Sequence, residues 1–188
     1  MPETKLMRTL YRWRVRSGPL ALLAVTITAA PTVRSLLIGA AVAALGLTVR
    51  AWAAGHIRKE KALAVTGPYR HSRNPLYVGN FILGVGIAVA TNSWWGVLAF
   101  AIYFGLFYPL VILEERDRMR RIFPDQYGAF EKSVPLFFPR IKPAPANGEW
   151  RFHWSQYRRN KEYRALAGTI LTWGLLILKM LFLPNLHP

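Results

Sequence analysis

With 53% hydrophobic residues among 188 and 18% charged ones, the chain has too many long apolar runs for a soluble core of its size, and one membrane-embedded domain is expected. Its 25 lysines and arginines against 9 acidic residues form no groove-reading motif, so nucleic acid is set aside in favour of basic loops facing anionic lipid. The absence of cysteine excludes disulfides, thiolate metal sites and cysteine nucleophiles.

Taken in order, Lys5, Arg8, Arg12, Arg14 and Arg16 lead into a first apolar run, Pro19 to Val33. A signal peptide would be cleaved near Ala29-Ala30-Pro31, but proline is a poor neighbour for cleavage and another apolar run follows at once, so a retained span is expected. The second run, Leu36 to Ala54, sets Gly39 with Ala43 and Ala40 with Ala44 at helical spacing, the small-residue pattern that lets helix backbones approach in lipid. The third, Tyr77 to Ala90, is short of the roughly 20 residues a bilayer needs. Thr91-Asn92-Ser93 turns it into the fourth, Trp94 to Leu113. Lys142 to Gly148 has the composition of a linker. Trp150, Trp154, Tyr157 and Lys161 then recur near helical spacing among Arg151, Arg158 and Arg159, which predicts an interfacial helix. The fifth run is Ala165 to Leu183. The reading is an all-α, polytopic helix bundle of about five spans in a single domain over 1–188.

The N-terminus, the loop from Gly55 to Leu76 and the segment from Glu114 to Arg164 hold 22 of the 25 basic residues. The positive-inside rule places these on the cytoplasmic side and the C-terminus on the far side. Arg50 and Lys179 lie near run ends, where snorkelling is the default explanation.

Two motifs, one before the third run and one after the fourth, lie on that same side. Upstream stands Gly67-Pro68-Tyr69-Arg70-His71-Ser72-Arg73-Asn74-Pro75-Leu76-Tyr77-Val78-Gly79; downstream stand Glu114-Glu115, Phe123-Pro124-Asp125-Gln126-Tyr127, Phe130, Val134-Pro135 and Phe138-Pro139. Together, with apolar helices between them, they resemble the integral-membrane methyltransferases, the superfamily of isoprenylcysteine carboxyl methyltransferases and phospholipid N-methyltransferases. The resemblance covers about Leu45 to Arg140.

It implies S-adenosyl-L-methionine as cofactor, in a pocket on the cytoplasmic side, and a lipid or lipid-modified acceptor carrying a carboxylate or an amine. Such a cofactor needs a carboxylate for its ammonium, donors for its carboxylate and apolar contacts for adenine. By resemblance Lys61, Ala62, Leu63, Ala64 and Tyr69 line it, Arg73-Asn74-Pro75-Leu76-Tyr77 is its binding segment, and Glu114 and Glu115 contribute, Glu114 as the direct ligand. Many members have histidine where this chain has Asn74, which can donate a hydrogen bond but carries no titratable proton. Pro75 suits a first helical turn, leaving the amides near Tyr77 for an anion. Tyr127 and Phe130 read as a lid, and Trp154 with Tyr157 as a gate at the acceptor's path. No catalytic residue or general base is assigned, and His56, His71, His153 and His187 lack metal-ligand spacing.

The residues alone leave blander readings: a helix start with basic anchors at Arg73 to Tyr77, and a solvated helix extension carrying Glu114–Arg118 and Asp117–Arg121 pairs. Two other functions stand beside the methyltransferase. One is an NADPH-dependent, sterol-reductase-like enzyme, against which Leu76 and Asn80 stand where those reductases have asparagine and glutamate. The other is a non-enzymatic membrane scaffold, which leaves the two motifs and their shared side as coincidence. Oligomeric state is not legible.

Overall fold

The structure is a computed structural model describing residues 18, 22–58, 62–145 and 151–183. Its elements are α1 (22–28), α2 (Val33–His56), a 3-10 turn (Gly67–Arg70), α3 (Pro75–Thr91), α4 (Trp94–Ile122), α5 (Pro124–Ser133), α6 (Trp154–Arg159) and α7 (Tyr163–Phe182). The described residues are all-helical, as expected. Of the five runs expected to span, three become helices long and apolar enough to cross a membrane: α2, α4 and α7. With 17 residues, α3 rises about 26 Å, short of the roughly 30 Å hydrocarbon core. Only 22–28 of the first run is described as a helix.

Local chemistry sets the helix ends. Thr32 and Ser35 cap α2 reciprocally: the Ser35 amide donates to Thr32 Oγ1 at 3.1 Å and the Thr32 amide to Ser35 Oγ at 3.0 Å. Asn92 closes α3 in the left-handed region (φ 50°), a conformation asparagine tolerates. The 29 residues of α4 rise about 44 Å, so its last turns, Glu114 to Ile122, extend past a 30 Å hydrocarbon layer. The acidic pair therefore lies within α4 rather than after it. Phe123, preceding a proline, leaves the helical region, and Pro124 starts α5 at a position where its missing N–H costs nothing.

The bundle is tightest between α2 and α3. A Cβ on Gly39 would lie 2.6 Å from the Gly86 carbonyl oxygen, and one on Gly46 would lie 2.5 Å from the Leu83 amide. Glycine is required there because backbone meets backbone. Gly39 and Ala43, legible as a small-residue pair, face α3, while Ala44 of the second pair is exposed. Lys179, expected to snorkel, is instead buried in α7, where its ammonium donates to the carbonyls of Thr26 (3.0 Å) and Ile27. Those carbonyls belong to the last turn of α1, where Thr26 O also accepts from the Ala29 amide (3.4 Å), so the lysine caps that helix.

Gly86→Leu should therefore splay α2 from α3 and destabilise by at least the 1–3 kcal/mol or so typical of overpacking, whereas Gly105→Ala, with open space around it, should be neutral or mildly stabilising. Thermal unfolding of both variants in detergent checks this.

Candidate cofactor site

The upstream motif is laced to the segment following α5. The Arg73 amide donates to the Pro135 carbonyl (2.9 Å), Asn74 Nδ2 to Leu136 O (3.0 Å), and Ser72 Oγ to Phe137 O (2.7 Å). The Arg140 amide donates to His71 O (2.9 Å), His71 Nδ1 lies 2.8 Å from Arg140 O, and the Ala144 amide donates to Arg70 O (3.0 Å) while Arg70 Nε donates back to Ala144 O (2.6 Å). As the numbers fall from 73 to 70 on one side they rise from 135 to 144 on the other, so the two segments run antiparallel. The first half of the expected linker is thus a strap: Ala144 is 2% exposed.

Under this strap the two motifs share one core. Tyr69, Tyr127, Phe130, Val134 and Ala144 are buried together with Ala53 of α2, and Leu63, Ala64, Leu76, Met119 and Phe123 pack against them. Arg73 joins α3 to α5: its guanidinium lies 5.7 Å from the Tyr127 ring centroid, and Nη1 reaches Tyr127 Oη at 3.2 Å and Glu131 Oε2 at 3.3 Å. Glu131 also accepts from Arg120 of α4 at 2.9 Å. Tyr77 meets Tyr108 edge-on at 5.7 Å, and Tyr108 stacks on Phe104 at 4.0 Å.

Among the described residues, Thr66 Oγ1, Tyr69 Oη and Arg73 Nε are buried without a hydrogen-bond partner. All three lie on the loop before α3 and can donate, so they suit a bound group rich in acceptors. Burial pushes the Tyr69 phenol far above its ordinary range, and the charges of Glu115 and Glu162, then Tyr77, add to the effect. Two carboxylates from different parts of the chain, one of them the Glu162 that pairs with Arg50, thus add to the effect of burial on one phenol.

Of the expected residues, Leu63, Ala64, Tyr69, Leu76, Tyr127 and Phe130 fall in this one cluster and Arg73 attaches to it. Tyr77 and Glu115 add to the effect of burial on Tyr69, and Glu114 stands next to Glu115 near the end of α4. Pro75 is the buried first residue of α3, Ala62 is exposed, and the Asn74 amide is committed to the strap. Lys61 and Trp150 lie outside the described residues. Trp154 is 65% exposed and contacts Phe152 and Tyr157 rather than the cluster. The expected interfacial helix is the six-residue α6, held on α2 by the His153 amide on Gly55 O (3.0 Å) and by Asn160 Nδ2 on Ala54 O (2.9 Å).

Sequence reasoning missed Glu162 and misread Arg50. Arg50 does not snorkel: Nη1 donates to Asn80 Oδ1 and Nη2 pairs with Glu162 Oε2 at 2.6 Å, with both side chains largely buried. Gly79 makes this possible, since a Cβ there would lie 2.5 Å from Arg50 Cγ. The signal available was an arginine in an apolar run one turn from a motif glycine on the facing helix.

Residues 24–126, over half of the chain, match the phospholipid methyltransferase family, and the chain belongs to that family. It is therefore an integral membrane protein of a membrane methyltransferase family. Among its relatives, the nickel-cobalt-cadmium resistance protein NccN of Alcaligenes xylosoxydans xylosoxydans is 36% identical over 122 residues, covering 62% of this chain and 57% of that protein. The cobalt-zinc-cadmium resistance protein CzcN of Cupriavidus metallidurans is 33% identical over 126 residues, covering 66% and 56%. The protein-S-isoprenylcysteine O-methyltransferase of Schizosaccharomyces pombe is 30% identical over 83 residues, covering 44% and 35%. The chain spans little more than half the length of the first two and about a third of the last. No solved structure matches it. The matched family region ends inside α5, so the strap, α6, Glu162 and α7 lie beyond it.

Asn74→Leu should free the strap: it leaves the Leu136 carbonyl without its donor, a loss of about 1–3 kcal/mol if that carbonyl stays buried. Limited proteolysis should then cut within 134–144 faster than in the unaltered protein. Tyr69 gives a pH signature. Its folded pKa lies above the unfolded value of about 10, so its contribution is whole below pH 10 and is lost as pH rises beyond it. Unfolding midpoints recorded from pH 8 to 11 should fall less steeply in Tyr69→Phe.

Proposed function

We propose that this chain transfers a methyl group from S-adenosylmethionine to a lipidic acceptor, in a pocket walled by the 3-10 turn, the start of α3, the end of α4 and α5. The observation that carries the reading is the convergence of two sequence-distant motifs on buried, partnerless donors flanked by carboxylates. The cofactor supplies a methyl group on a cationic sulfur. Thr66, Tyr69 and Arg73 offer donors to its carboxylate and ribose oxygens, and Glu115 offers its charge to the ammonium, with Glu114 next to it. Leu63, Ala64, Leu76 and Phe130 exclude water around the flat base. In the transfer the acceptor's lone pair forms the new bond to the methyl carbon as the carbon–sulfur bond breaks and its electrons stay on sulfur. Charge disperses along that path, so a dry site does not oppose it, and alignment supplies much of the rate, up to about 7–11 kcal/mol in favourable systems. An oxygen acceptor arrives as a carboxylate; an amine acceptor must first lose its proton to substrate phosphate or water.

The basic loops put the pocket on the cytoplasmic face in this reading. The names of two relatives speak of resistance to nickel, cobalt, zinc and cadmium. Among the described residues no group of three or more His, Asp or Glu side chains could hold a metal ion, so methyl transfer is favoured over direct metal binding.

Calorimetry in detergent should give saturable binding of S-adenosylmethionine and its demethylated product, with no comparable NADPH binding. Glu115→Gln should weaken the sulfonium cofactor roughly ten- to a hundred-fold, the loss of a charge-assisted hydrogen bond of about 1.5–3 kcal/mol, and more than Glu114→Gln. Tight NADPH binding without the sulfonium would move the assignment to the reductases.

A further inference from the structure

A cleft of about 220 Å³ opens between α2 and the α6–α7 junction. Leu47, Arg50 and Ala51 form one wall, and Tyr157, Glu162 and Leu166 the other. None of the last three lies in the matched family region. We propose that this cleft binds the anionic head of an amphiphile, with a carboxylate or phosphate oxygen on the unpartnered Nε–H of Arg50 and the first methylenes along Leu47, Ala51 and Leu166.

The guanidinium offers donors in three directions. Nη1 is taken by Asn80 and Nη2 by Glu162, but Nε is buried with no hydrogen-bond partner among the described residues. Nε and Nη2 together make the fork that grips two oxygens of a planar or tetrahedral anion. Glu162 fills half of that fork at a single point, 2.6 Å from Nη2, in the manner of a placeholder for a ligand oxygen. The other half has no partner among the described residues and belongs to a residue that lines the cleft.

The remaining walls explain why the ligand is an amphiphile rather than a free anion. Leu47, Ala51 and Leu166 offer hydrocarbon beside the hydroxyl-bearing Thr48 and Tyr157, and α2 and α7 are both long enough to cross a membrane. Leu45 is 57% exposed and Leu166 45% exposed, so the helix faces flanking the cleft are apolar and open to lipid. A tail would lie along those faces while its head, stripped of water, finds the unpartnered Arg50 Nε–H. A volume of about 220 Å³ suits a headgroup with a few methylenes and leaves the rest of the chain in the bilayer.

The proposal stands independently of the methyl donor and is tested without it. The full chain in a neutral maltoside detergent is titrated by calorimetry with dodecyl phosphate, dodecanoate and dodecanol. Saturable binding of either anion, at least tenfold tighter than the alcohol, is expected; which anion binds tells a phosphate headgroup from a lipid-linked carboxylate. Arg50→Gln should cost the anion tenfold or more and leave the alcohol unchanged, while Glu162→Gln, which removes the competing carboxylate, should tighten the anion several-fold. If Arg50→Gln does not fold, Ala51→Leu, which fills the cleft, should abolish anion binding. Equal affinity for all three probes, weaker anion binding in Glu162→Gln, or unchanged binding in Ala51→Leu would overturn the proposal.

Discussion

The antiparallel lacing of residues 70–74 with 135–144 is the constraint on which the site depends. Without it, the loop before α3 and the segment after α5 would be two loops on separate helices. Laced, they put Tyr69 beneath Tyr127 and Phe130 and bring Arg73 to Glu131. The bonds are largely carbonyl-directed: the strap presents backbone oxygens and the motif answers with side chains short enough to reach them. Ser72 and Asn74 serve the strap in this way, so the side chain that stands at the family's histidine position stabilises the architecture of the site.

A second constraint is the economy of acidic charge. The chain carries 9 acidic residues against 25 basic ones, and several acids sit at junctions between elements. Glu131 accepts from Arg73 of the upstream motif and Arg120 of α4. Glu162 joins the α6–α7 turn to α2 through Arg50, and Arg50 continues to Asn80 on α3. A buried ion pair adds little stability by itself, because desolvation offsets most of the Coulombic gain. Its value here is register: it fixes where α7, which lies outside the family-matched region, meets the α2–α3 pair. The glycines opposite Arg50 and between α2 and α3 serve the same end by making room.

The helices were legible because apolar runs of sufficient length have few alternatives in lipid, and the two motif blocks, far apart in sequence, pack and bond to one another in the structure. Where sequence reasoning went astray, the cause was a contact made across the chain. Arg50 and Lys179 resemble snorkelling residues when seen along one helix; their partners are Asn80 and Glu162 in one case and the end of α1 in the other. Lys142 to Ala144 reads as linker by composition, yet Ala144 is buried because Arg70 grips its backbone. Glu115, beside Glu114 near the end of α4, adds its charge to the effect of burial on Tyr69. Of the two aromatic residues expected at the acceptor's path, Trp154 is exposed and Tyr157, one turn on, lines the cleft.

The central claim is that the two motif blocks form a single cofactor pocket around Tyr69. Direct ultraviolet photolabelling of the purified chain with radiolabelled S-adenosylmethionine, followed by peptide mapping, tests it most directly. The account predicts label in two peptides, one from residues 62–77 and one from the end of α4 through α5, with both protected by the demethylated product. Label confined to α6 or α7, or labelling that the demethylated product does not suppress, would contradict it.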